Sequence, residues 1–412
     1  MEKHDVVILG AGPAGTACSL FLSKENIPHV IIDKATFPRD KVCGDAISGK
    51  VVSVMNKLDP AMLQEIIRKE DEYMPSYGVT FIAPNGHALE IPFATDISKL
   101  EHAPGFISQR MNYDNFLFEH LDPNTADIRT DCKVDNVQLV DGGVEINYSK
   151  DSEAVSILAK IVIGAEGDRS LVAKNLSDIR KENDHYCAGV RAYYSGVEDL
   201  DENGFIELHF TKQALPGYFW IFPLPNGYAN VGLGMLSSAV SKKNVKIRQL
   251  MEDIIANDPG LSPRFKNAKL ESKIDGWGLP LGSKKRTISG DHFILTGDAA
   301  SLIDPFTGEG IGNAMLSAMV AVKYIKKALA ENKFDAQSLN AYDVEIYNKI
   351  GKELKISRTL QKLIHFPWLF NFVVDKARKN ETLQKTFIAM FENIDIRNKL
   401  QDPRFYLKLL FN

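Results

Sequence analysis

The chain has 412 residues, more than one ordinary hydrophobic core needs, so two or three domains are expected. Hydrophobic residues at 44% and charged residues at 25% match a soluble globular protein, and a net charge of −4 excludes a chain-wide basic footprint for nucleic acid. Cys18, Cys43, Cys132 and Cys187 are scattered without a CxxC pair, which argues against a zinc site or a disulfide framework and fits a reducing cytoplasm.

Residues 6–9 form a short apolar run ending in Gly10 and predict a buried strand. No charge occurs from Val6 to Leu22, but Gly10, Gly12, Pro13 and Gly15 interrupt the stretch, so it reads as soluble structure rather than a leader or a span. A helix is predicted over 13–24 and a second β-rich run over 29–33. Strand, glycine turn, helix and strand open a doubly wound sheet. Antiparallel strands are predicted over 77–83 and 87–92, a helix near 112–121, and a strand at 159–163 that returns to the first sheet. Residues 186–234 are strand-rich, with turns at Pro216-Gly217 and Pro225-Asn226-Gly227. A helix near 246–256, a strand at 292–296 and a long helix over 310–331 follow, and the remainder is mostly helical. The alternation indicates two domains interleaved along the chain.

Gly10-Ala11-Gly12-Pro13-Ala14-Gly15 fits GxGxxG after a strand and before a helix, the arrangement that brings backbone N–H groups and the positive helix end to a pyrophosphate. Asp33 ends the second strand about 20 residues on, where an acid accepts ribose hydroxyls. These residues indicate a dinucleotide without separating FAD from NAD. Thr296-Gly297-Asp298-Ala299-Ala300 follows an apolar strand, and Pro305 to Asn313 (PFTGEGIGN) opens the long helix. An aspartate there suits the ribityl chain of a flavin, and the helix start suits negative charge on a reduced ring.

With Lys41-Val42-Cys43-Gly44-Asp45, Arg110, the run from Ile163 to Ser170 (IGAEGDRS) and Tyr218-Phe219-Trp220-Ile221-Phe222-Pro223 with Asn230-Val231-Gly232 added, the sequence resembles the geranylgeranyl reductase family. That family is a branch of the flavoproteins related to para-hydroxybenzoate hydroxylase, and the likeness spans about residues 5–320. The resemblance implies an α/β (overall α+β) protein: a Rossmann-like FAD-binding domain (1–75, 98–175 and 275–335) interleaved with an antiparallel-sheet substrate domain (76–97 and 176–274), then a helical C-terminal region (336–412). It also implies a flavin cradle of Gly10, Gly12, Ala14, Gly15, Asp33, Cys43, Gly44, Ala46, Arg110, Val134, Asp298, Gly310 and Ile311. No metal is implied. Two residues depart from the family pattern. Glu166 stands where relatives commonly have Asp, and Asp45 follows Cys43-Gly44 where reductases often have a second Gly; Asp45 either brings a carboxylate near the flavin or, the favoured reading, caps a helix that follows.

Tyr218, Trp220 and Phe222 alternate along a strand and so share one face. This aromatic wall suits a long apolar polyene, with an ordinary domain core as the plainer alternative. The resemblance implies reduction of isoprenoid carbon–carbon double bonds by hydride from reduced FAD, with Cys43, Tyr218 and Trp220 near the reacting centre. The electron donor is NADPH or a reduced carrier protein. A monooxygenase acting on an aromatic or a lipid, and a flavin-bound redox sensor or carrier, are the alternatives. From Gly351 onward there are 12 Lys and Arg against 6 Asp and Glu, with aromatic clusters at 366–372 and 405–411. The region reads either as a cap on the body or as a peripheral contact with an anionic membrane.

Overall fold

Val6, Val7, Ile8 and Leu9 are fully buried at the end of the strand Glu2–Leu9, because parallel neighbours and helices cover it on every side. In the computed structural model, which describes residues 1–380 except 95 and 152, together with residue 384, this strand lies inside an eight-stranded sheet. His29–Ile32 and Glu153–Gly164 flank it in parallel, and Ala126–Arg129 and Phe293–Leu295 extend the parallel part on either side. Glu153–Gly164 also pairs antiparallel with Gly143–Lys150, and that strand pairs with Lys133–Val140.

The helix Pro13–Lys24 leaves the glycine turn with Pro13 in its first turn, where the missing N–H costs no helical bond. It packs on the long helix Ile311–Glu331. Buried positions on both are small (Ala14 and Ala17 on one, Ala314, Ala318 and Ala321 on the other), so the two backbones approach closely. Two helices not expected from the sequence, Gly49–Leu58 and Pro60–Arg68, meet at Asp59. Its carboxylate accepts the Ala61 N–H (2.9 Å) and so starts the second helix where the first stops.

The second sheet joins stretches far apart in sequence. Its order is Lys269–Leu270, Tyr186–Ser195, Tyr228–Leu236, Gly217–Pro223, Ile206–His209, Gly78–Ile82 and Ala88–Pro92, with Asp275–Pro280 also paired to Tyr186–Ser195. The sheet therefore takes in Asp275–Pro280, just past the boundary at 274 read for the substrate domain; Trp277 and Leu279 alternate there, but the glycines between them leave too short a signal to announce a strand. A third sheet of Ala46–Ile47, Gly105–Ile107 and Met74–Ser76 ties the segment after Cys43 to the strand preceding Arg110. The helices Ala336–Leu363 and Pro367–Lys379 occupy the expected helical region; the aromatic cluster at 405–411 lies outside the described residues. Among the described residues no helix is long and apolar enough to cross a membrane.

Candidate active site

Two glycines of the first turn are required by the protein itself. Gly10 has φ +94°, and a Cβ there would stand 2.5 Å from the Ala165 carbonyl oxygen; one on Gly15 would stand 1.7 Å from that of Gly10. Gly12 is different. A Cβ on it would meet only Arg39 Nη2, at 3.5 Å, so this glycine faces open space at the helix start. The helix Pro13–Lys24 has no capping side chain and no acid in its first turn among the described residues. Its first N–H groups are left to an anion. Asp33 closes the turn: Oδ2 accepts the Ala11 N–H (2.6 Å) and Oδ1 that of Ala35 (2.7 Å). The Cys132 N–H donates to the Asp33 carbonyl (3.0 Å), which draws the start of the Val134 strand alongside.

The distant glycine–aspartate turn arrives at the same place. Gly297 has φ +58°, and a Cβ there would lie 3.3 Å from the Ala14 Cβ. One on Gly310 would lie 3.5 Å from Asp298 Oδ1. Burial pushes the Asp298 carboxyl up, against the pull of Lys41 and Arg110. Gly310 then opens the helix Ile311–Glu331, while Glu309 accepts the Gly312 N–H (2.8 Å) and the Ser48 hydroxyl (2.9 Å).

The Cys43 loop covers this junction. Arg110 is buried and holds Asp114 through Nε and Nη2 (2.6 and 2.8 Å), with Arg39 on the same carboxylate at 2.8 Å. Lys41 is pushed down to about 8, by burial first and by Arg110 next, with its ammonium 4.2 Å over the Trp277 ring. Gly44 lies against Phe222, whose ring a Cβ would meet at 2.8 Å. Asp45 does not cap a helix: Ser48 is the N-cap of Gly49–Leu58, and the Asp45 side chain turns inward, wholly buried, to Tyr193 and Asn230. The left-handed backbone at Asp45 (φ +68°) is what turns it away from the helix.

The aromatic residues share a face as their spacing requires. Tyr218, Trp220 and Phe222 join one apolar cluster, and Phe219 and Ile221 pack into another on the far side of the sheet. Successive rings stand 6.2 and 6.3 Å apart. Trp220 pairs across the ladder with Gly232, and a Cβ there would be 2.1 Å from the indole, so the ring lies across the neighbouring strand. The Tyr218 hydroxyl donates to the Thr307 carbonyl (2.7 Å), fastening the wall to the loop before Gly310. Phe210, stacked on Phe306, extends the wall; neither residue stands out in the sequence, because each is a lone aromatic in its own segment.

Residues 3–348 match the FAD binding domain family. The chain belongs to that family. The chain is similar to the digeranylgeranylglycerophospholipid reductase of Methanococcus vannielii, 27% identical over 370 residues and covering 88% of each chain. The menaquinone reductase of Mycobacterium tuberculosis (strain H37Rv) is 26% identical, over 95% of this chain and 92% of its own. A crystal structure of a geranylgeranyl bacteriochlorophyll reductase-like protein from Thermoplasma acidophilum shares the fold at a TM-score of 0.81 and 21% identity, covering 98% of this chain and 99% of that one. The protein is an FAD-dependent oxidoreductase.

The residues present fit FAD. The space beside Gly12, the open N-terminus of the Pro13–Lys24 helix and Asp33 suit the dinucleotide end, and Asp298 with the Gly310 turn suits the flavin end. The Glu166 departure also has a physical account. Its longer side chain folds back to accept from the Ser170 hydroxyl (2.6 Å) and the Leu171 N–H (3.0 Å), so the carboxylate caps the helix Leu171–Leu176.

Proposed function

We propose that this oxidoreductase reduces carbon–carbon double bonds of an isoprenoid chain carried by a lipid. The observation that carries the reading is the aromatic wall of Tyr218, Trp220 and Phe222 directly against Gly44 and the Thr307–Gly310 loop, an apolar surface beside the cofactor position. The names of the two reductases above support the substrate class. Bound FAD, once reduced, supplies the hydride equivalent. The protein residues do the rest. Gly10, Gly12, Ala14, Gly15, Asp33 and Val134 hold the dinucleotide end. Asp298, Gly310, Ile311, Cys43, Gly44, Ala46 and Arg110 surround the ring end. Tyr218 and Trp220 exclude water and present ring faces to the positive charge that builds on an unactivated alkene carbon. Because the Tyr218 hydroxyl is committed to Thr307, its part is that of a wall, and Cys43 is the residue we place nearest the reacting carbon as proton donor. The reductant is NADPH or a reduced carrier protein that visits the site.

The test is anaerobic photoreduction followed by addition of geranylgeranyl lipids and mass spectrometry of the products. Addition of two hydrogens is expected. Addition of one oxygen on exposure to air would make the protein a monooxygenase, and a flavin that stays reduced with every alkene would make it a carrier or sensor.

We also place the protein at a membrane surface. Phe366, the N-cap of the last described helix, and Trp368 in its first turn are 54% and 69% exposed, and Lys362, Arg378 and Lys379 are exposed on the last two described helices. Phe370 of the same helix packs on Phe210 at 4.7 Å, linking this corner to the aromatic wall. Replacing Phe366 and Trp368 with Ser should lower sedimentation with anionic vesicles about tenfold while flavin content stays unchanged; equal sedimentation removes this placement.

A further inference from the structure

The Asp45 side chain is a wholly buried carboxyl beside the site that the cofactor cradle does not use. It is 0% exposed, on a backbone of φ +68° where glycine is the default residue. Its Oδ2 accepts two hydrogen bonds, from the Tyr193 hydroxyl and the Asn230 amide, each 2.8 Å long. Its Oδ1 is buried with no partner among the described residues. Asn230, equally buried, has its orientation settled by its neighbours: the Trp220 indole can only donate, so Oδ1 of Asn230 accepts it (2.8 Å). The Asn230 NH2 group therefore points at two acceptors, Asp45 Oδ2 and the Cys43 carbonyl (2.8 Å). A continuous chain thus runs from the carboxyl to the indole of the wall, with a branch to the Cys43 loop.

We propose that Asp45 is a positioning residue for the substrate wall: its ionised carboxylate polarises the Asn230–Trp220 chain, drawing the indole N–H outward and enriching the ring face that meets the alkene. A charged acceptor strengthens the first hydrogen bond, and the polarised amide strengthens the second. An indole richer in electron density stabilises positive charge better. Only the consequence for rate rests on the alkene-reduction reading; the chain itself stands on the geometry.

The groups facing Asp45 set when it acts. From the strand Tyr186–Ser195 come Arg191, stacked 4.2 Å over the Tyr193 ring, and Tyr193 itself. From the helix Arg110–Glu119 comes Arg110, paired with Asp114, and from the loop comes Asp40, which binds Arg191. Burial raises the carboxyl to about 6, opposed by Arg191, Asn230, Tyr193 and Arg110. The chain is therefore polarised at neutral pH and relaxed in mild acid.

The experiment follows the side-chain N–H resonance of Trp220 in nitrogen-labelled holoprotein from about pH 8 to about pH 5, the range that brackets this midpoint. The resonance, assigned by its loss in Trp220→Phe, should shift with a midpoint near 6 in the wild type and stay fixed in Asp45→Asn. Tyr193→Phe removes one donor to the carboxylate, so its midpoint should move upward. This variant keeps the test alive if Asp45→Asn does not fold. In parallel, reoxidation of photoreduced flavin by a geranylgeranyl lipid should slow roughly fivefold below the midpoint in the wild type and be slow at every pH in Asp45→Asn. An indole resonance indifferent to Asp45 and Tyr193, or a rate that rises in acid, overturns the proposal. If the indole titrates as described while no alkene is reduced, the chain stands and the reductase reading alone falls.

Discussion

Gly12→Ala should fold as the wild type does yet bind FAD about 100-fold more weakly, close to 3 kcal/mol, whereas Gly15→Ala should not yield folded protein. The two substitutions add the same methyl group three residues apart. At Gly15 the new Cβ would sit 1.7 Å from the Gly10 carbonyl oxygen, which is backbone and has no rotamer to escape into. The strand and the first helix would have to separate, a cost that competes with a domain stability of about 5–15 kcal/mol. At Gly12 the backbone is extended (φ −74°), a conformation alanine adopts freely, and the nearest protein atom is a guanidinium nitrogen at ordinary contact distance. The methyl therefore costs the apo-protein almost nothing. It occupies the space in which a pyrophosphate must approach the helix N-terminus. Thermal unfolding and FAD titration of both variants check the pair. A Gly12→Ala protein that takes up FAD with wild-type affinity would show that the dinucleotide does not run over this turn.

The same contrast explains what could be read from the sequence. The strand at Glu2–Leu9, the helix Pro13–Lys24 and Asp33 are legible because their signals are local: an apolar run, glycines at fixed spacing, and an acid at the next strand end. The wall of Tyr218, Trp220 and Phe222 is legible because a strand has period two. Asn230 and Tyr193 could not be found in this way. Their bonds to Asp45 cross 185 and 148 residues of chain, so although Asn230-Val231-Gly232 belongs to the family likeness, no local signal ties Asn230 to Asp45. Asp45 itself misleads for a physical reason. An aspartate shortly before a helix has the composition of a cap, and only the positive φ, invisible in a lone non-glycine residue, turns it inward while Ser48 takes the cap position. The helices Gly49–Leu58 and Pro60–Arg68 are obscured by the Asp59-Pro60 break, which divides one amphipathic stretch into two short ones.

Asp45→Asn should gain stability relative to the wild type as pH rises, by about 2–3 kcal/mol between about pH 4 and about pH 7.5. The sign follows from which state releases its proton first. In the unfolded chain the carboxyl ionises near 3.8, and in the folded protein near 6, so between those values the folded state holds the extra proton. Stability from this group is fully present below 3.8 and is lost as pH climbs through 6; asparagine has no such loss. Comparing the two proteins at each pH removes the titrations they share, and taking the change of that difference with pH removes any constant cost of placing an amide N–H group where Oδ1 finds no partner. Denaturant unfolding across this range checks the prediction, and wild-type and variant curves that stay parallel would show that Asp45 is not held as a raised buried acid. If the curves diverge as described, this protein retains at residue 45 a side chain that weakens it at neutral pH. A group kept at that cost, two hydrogen bonds from the indole of the wall, is placed for the chemistry rather than for the fold.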